Sequence, residues 1–92
     1  MSDGAHYRFP PSGAYRLNRC LCALKSDRAF AERFLADARE ATESMGLTDG
    51  ERADLLHLDR DALVARGAHP YLVFMAGLRL KMLKDPSQME YF

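Results

Sequence analysis

The stretch PYLVFMAGLRLKMLK, residues 70–84, decides the fold. His69-Pro70 opens it, and proline suits a first helical turn because its missing N–H has no partner there. Pro86 stops it. The spacing predicts a helix from Pro70 to about Lys84. From Tyr71 to Leu78 this helix is apolar on nearly every side, and a helix apolar all round must be buried all round. Either the rest of the chain wraps it, or a second chain covers one side. Its later part sets Arg79, Lys81 and Lys84 beside Leu80, Met82 and Leu83. Those cations either complement the helix dipole in solvent or lie on an acidic partner surface.

Upstream, the chain reads as helices with short breaks. Pro10-Pro11-Ser12-Gly13 is a breaker cluster, so residues 1–12 are expected to form a flexible tail. Leu17, Cys20, Leu21 and Leu24 then recur at i, i+3, i+4 and i+7, the apolar face of a helix over about Tyr15–Lys25. Ser26 and Asp27 are N-cap residues. They open a helix expected over 27–45, with Phe30, Phe34, Leu35, Ala38, Ala41 and Met45 on its apolar face. Gly46 stands where a C′ glycine belongs, and Leu47 beyond it can close the cap. Thr48-Asp49-Gly50-Glu51 is a capping box for a short helix with Ala53, Leu55 and Leu56 inward. Asp59 caps another over Arg60–Arg66, ended by Gly67. Ser87–Glu90 has the pattern of one last turn, within a C-terminal tail of residues 86–92. No segment alternates as a strand would. The expected architecture is all-α, one compact orthogonal bundle of about five short helices over residues 13–85.

Composition bounds what such a chain can do. Ninety-two residues allow one domain, with a thin core and a total stability of about 5–10 kcal/mol. That leaves little room for a self-contained enzyme with its own pocket. Net charge is zero, which argues against a nucleic-acid partner. The charge is unevenly spread: residues 1–26 carry +3, residues 27–61 carry −5 from ten acids against five arginines, and residues 62–92 carry +2. The first twelve residues hold no apolar run of the kind a secretory leader needs. The apolar run Pro70–Leu78 is too short to cross a bilayer. Cys20 and Cys22 point to different sides of a helix and cannot bridge each other, so reduced thiols in a cytoplasmic protein are expected.

Chemistry-bearing patterns are sparse. His6, His57, His69, Cys20 and Cys22 fall in no metal-ligand spacing. No nucleophile elbow and no glycine-rich phosphate loop occurs. Asp54, Asp59 and Asp61 read more simply as caps and first-turn charges than as paired catalytic carboxylates. No catalytic residue, cofactor site or metal site is therefore expected in this chain. His69 reads as a cap at the helix entry, or as a residue turned toward a partner.

The ordered segments carry a resemblance. Gly13-Ala14-Tyr15-Arg16-Leu17-Asn18, followed by Cys20-Leu21-Cys22-Ala23-Leu24-Lys25, resembles the start of the small (alpha) subunit of protocatechuate 4,5-dioxygenase. Arg33-Phe34-Leu35-Ala36-Asp37 and Met45-Gly46-Leu47-Thr48 are similar to its next two landmarks. The run from Asp59-Arg60-Asp61-Ala62-Leu63 through Val64-Ala65-Arg66-Gly67 to Ala68-His69-Pro70-Tyr71 resembles the family's most recognisable segment. The resemblance spans residues 13–83.

It implies a helical, non-catalytic subunit packed over the active site of a class III extradiol ring-opening dioxygenase. Fe(II), its two histidines and carboxylate, and the acid/base histidine would belong to the large catalytic (beta-type) subunit. The family's longer C-terminal segment has no counterpart here, so contacts made by that segment are not expected. The partner-facing candidates are Tyr15, Leu17, Asn18, His69, Tyr71, Phe74 and Met75. The alternative is a standalone protein- or peptide-binding module, pairing as a homodimer through the same apolar helix.

Overall fold

The computed structural model describes residues 12–84. Six helices follow one another: α1 (Ser12–Ser26), α2 (Arg28–Ala36), α3 (Ala38–Ser44), α4 (Asp49–His57), α5 (Arg60–Ala65) and α6 (Pro70–Lys84). No strand occurs among the described residues. The all-α class is as the sequence predicts. Of the tail expected over residues 1–12, residues 1–11 lie outside the described residues, as does the last turn at Ser87–Glu90; Ser12 and Gly13, expected as breakers, instead form the first turn of α1.

The terminators act through hydrogen bonds that the residue types demand. Asp27 accepts the Phe30 amide and starts α2. Gly46, at φ +80°, ends α3 in a left-handed cap. There the Leu47 amide bonds back to the Thr42 carbonyl and the Gly46 amide to Glu43, while Leu47 folds into the core. Thr48 and Glu51 form the expected reciprocal box, at 3.2 and 2.8 Å. Asp59 caps α5. Gly67, at φ +105°, closes α5 with the same backbone pattern, the Ala68 amide reaching the Leu63 carbonyl.

The single helix expected over 27–45 is two helices. Asp37 leaves helical geometry at φ −155°, ψ 89°. Its carboxylate accepts the Glu40 amide and caps α3, while its own N–H still bonds the Arg33 carbonyl and ends α2. Aspartate competes in this way because its short side chain offers the backbone an alternative acceptor. The bend brings Ala31 and Phe34 of α2 and Ala41 and Thr42 of α3 onto one core. The buried Thr42 hydroxyl is satisfied by the Ala38 carbonyl at 2.7 Å.

The core lies chiefly between α1 and α6. Leu17, Cys20, Leu21 and Leu24 are fully buried and face Val73, Ala76 and Leu80. Leu55, Leu63 and Ala68 close it from the α4–α5 side. Arg66 ties these two short helices together, bonding Asp54 at 2.6 Å while its guanidinium lies against Gly50. Burial pushes the Cys20 thiol up to about 12, with the negative Glu51 nearby adding to it. The raised value stabilises the fold fully below the ordinary thiol range, and that contribution is lost as pH rises toward 12. Cys22 is exposed. Titration of the native protein at pH 8 with a disulfide reagent should therefore consume one thiol per chain rapidly and the second only on unfolding. Fast reaction of both would contradict the burial of Cys20.

Candidate protein-docking site

Two adjoining surfaces on α6 stand out. The first is the helix entry. Asn18, on α1, donates from Nδ2 to the Gly67 carbonyl at 3.1 Å and accepts the His69 amide on Oδ1 at 2.8 Å. His69 in turn accepts the Tyr71 amide on Nδ1 at 3.1 Å, acting as the cap of α6. The rings of His69 and Tyr71 meet edge to face at 6.4 Å. One amide side chain thus fixes the turn that aims His69 and Tyr71 outward. Replacing Asn18 by alanine removes both bonds and should cost about 1–2 kcal/mol in urea unfolding. A loss below about 0.3 kcal/mol would show that the turn holds itself.

The second surface is a groove of about 890 Å³ between α2, α4 and α6. Phe34, Leu55, Val73 and Leu80 form its floor, and Leu35, Leu56, Leu58 and Phe74 its walls. Arg60, Lys81 and Lys84 stand among its lining residues. Phe74 is 63% exposed and Leu56 55%, a large apolar area to leave in water. Leu58 holds the wall at a cost. It sits in the left-handed region at φ 49°, which a leucine adopts with strain. The Asp59 amide bonding the Asp54 carbonyl fixes that geometry. Leu58 lies against Gly77, where a Cβ would stand in ordinary van der Waals contact with its Cδ1 at 3.6 Å.

The residues singled out in the sequence separate accordingly. Asn18, His69 and Tyr71 are brought together, and Tyr15 stands exposed one turn earlier on α1. Phe74 lies in the groove and Met75 is half-buried beside it. Leu17 has no exposed surface at all and serves the core, so it cannot face a partner. The inward positions expected at Ala53 and Leu56 are also corrected, since both are exposed. Leu35, Leu56, Leu58 and Leu78 are groove residues that helical spacing alone assigned to the core or passed over. The signal available was the surplus of apolar residues on short helices with too little chain to cover them.

Among the described residues no group of three His, Cys, Asp or Glu could hold a metal ion. The His69 Nδ1 is already engaged by a backbone amide. No helix among the described residues is long and apolar enough to cross a membrane. What the surface offers is association: exposed aromatic and aliphatic side chains on a rigid helical frame.

The geometry thus defines a small helical domain with an exposed apolar groove. Comparison with family models places it further. Residues 17–90 match the model described as "Aromatic-ring-opening dioxygenase LigAB, LigA subunit". The chain belongs to the LigA family, and so to the small subunits of aromatic-ring-opening dioxygenases. No curated protein and no solved structure matches it.

Proposed function

We propose that this chain is the non-catalytic small subunit that caps the active site of a cytoplasmic class III Fe(II) extradiol dioxygenase of the protocatechuate 4,5-dioxygenase type. The observation that carries this reading is the apolar outer face of α6, where Tyr71, Phe74 and Leu78 follow one another at i, i+3 and i+7. Tyr71 and Phe74 are largely exposed, at 56% and 63%. A face of this kind is stable in water only at a cost that a partner removes.

The described residues hold no cluster that fits an iron site, and in this reading the iron ligands belong to the large subunit. The small subunit's part is then to exclude water from the mouth of the site and to shape the space for a catechol ring. Such a role needs rigid apolar surface and no reactive group. The Asn18 clamp supplies rigidity at the α6 entry, and Tyr71 and Phe74 supply the surface.

Co-expression with a large subunit of this enzyme class, followed by light scattering on the eluted species, tests the reading. It predicts a heteromer that buries more than about 1,200 Å². A small chain that elutes alone as a homodimer, with the large subunit elsewhere, would favour a standalone interaction module instead.

A further inference from the structure

We propose that the groove between α2, α4 and α6 receives an apolar helix of the large subunit that carries carboxylates along its flank. This rests on the subunit reading above and assigns the anchoring surface within it.

Three observations lead there. The first is shape. The groove follows α6 from Val73 to Lys84, a helical rise of about 16 Å, enough for three turns of a partner helix laid between two ridges. Its floor is closed by buried side chains, so what enters meets a formed surface.

The second is charge. Among the described residues the groove is lined by Arg60, Lys81 and Lys84 and by no aspartate or glutamate. None of these three cations forms an ion pair with a described residue. In a chain of zero net charge that is rich in acids between residues 27 and 61, a groove whose described charged residues are all cations is a directed arrangement. Lys81 and Lys84 also complement the C-terminal end of α6. Arg60 has no such explanation. It is the first residue of α5, where the helix dipole disfavours a cation, and its placement at the groove points to an external carboxylate.

The third bears on the occupant. A second copy docked about a two-fold axis would set the same three cations against themselves. An acid-flanked helix of another chain meets them with opposite charge, while its apolar side meets Leu56, Leu58 and Phe74.

The test uses the full chain and its co-expressed large subunit, with affinity measured by calorimetry at low and high salt. Joint Arg60→Glu, Lys81→Glu and Lys84→Glu substitution should weaken binding about 100-fold at low salt and invert the salt dependence, so that affinity rises as salt screens the new repulsion. The three side chains are exposed or at the surface, and circular dichroism checks the fold; the milder Lys81→Gln, Lys84→Gln pair should lose about tenfold. A photo-crosslinker at Leu56 should capture an apolar, acid-bearing helix of the large subunit. Retention of wild-type affinity by the charge-reversed chain, or a crosslink to a basic or irregular segment, overturns the groove assignment and leaves the subunit reading intact. Failure of the wild-type chain to bind the large subunit overturns both. A homodimer that the same reversal disrupts or strengthens overturns the assignment in favour of self-association.

Discussion

Leu17→Ala is expected to lower the unfolding free energy by about 3 kcal/mol, whereas Tyr15→Ala, two residues earlier on the same helix, should change it by less than about 0.5 kcal/mol. Leu17 is fully buried and packs at the centre of the α1–α6 interface. Its truncation loses apolar transfer free energy and leaves a cavity that a close-packed core only partly refills. For a chain of this length the loss is a large fraction of the total stability of about 5–10 kcal/mol, so the variant should be substantially unfolded by mild heating. Tyr15 is 66% exposed and makes no hydrogen bond with another described residue. Urea titration of both variants at one temperature checks the pair. Equal losses would mean that α1 packs in a different register.

Phe74→Asp has the opposite signature. The ring is largely exposed, so folding stability should move by no more than about 0.5 kcal/mol. Binding to the large subunit should weaken by at least about 2 kcal/mol, or roughly 30-fold, because a central aromatic anchor is exchanged for a desolvated charge. Two properties of the site make the effect large. Phe74 stands where the outer face of α6 meets the groove wall, and it is the largest apolar side chain exposed there. The aspartate would also repel a partner carboxylate. Calorimetric titration with the large subunit and urea unfolding of the free chain separate the two contributions. Unchanged affinity would remove Phe74 from the interface.

How much of this was legible in the sequence follows the range of the forces involved. Caps are local, and Asp27, Thr48 with Glu51, Gly46, Asp59 and Gly67 each terminate or open a helix where the residue pattern puts them. The break at Asp37 was not legible. No glycine or proline marks it, and the apolar period of Phe30, Phe34, Ala38 and Ala41 runs straight through. It arises because the Asp37 carboxylate wins the Glu40 amide, a competition decided by a few tenths of a kcal/mol and by how the bend packs.

The orientation of α6 was equally hidden. Periodicity cannot separate Val73, Ala76 and Leu80 from Tyr71, Phe74 and Leu78 when every position is apolar. Docking against α1, with α2 and α5 adding to it, selects the first set for the core. The groove then follows as a shortfall of coverage. Leu35, Leu56 and Leu58 sit at spacings that suit burial, yet six short helices leave nothing of the described chain to lie over them. The grouping of Asn18, His69 and Tyr71 at the α6 entry follows the family landmarks His69-Pro70-Tyr71 and Tyr15–Asn18. Leu17 was placed with them wrongly, because adjacency in sequence put a core leucine beside two surface residues.

Oxygen uptake tests the capping role most directly. The large subunit, loaded with Fe(II), is assayed on protocatechuate and gallate alone, with this chain added, and with the Phe74→Asp variant added. Capping predicts slow turnover by the large subunit alone, a marked rise on adding the wild-type chain, little rise with the variant, and no uptake by the small chain on its own. An equal rate with and without the wild-type chain, or ring cleavage by the small chain unaided, would contradict it.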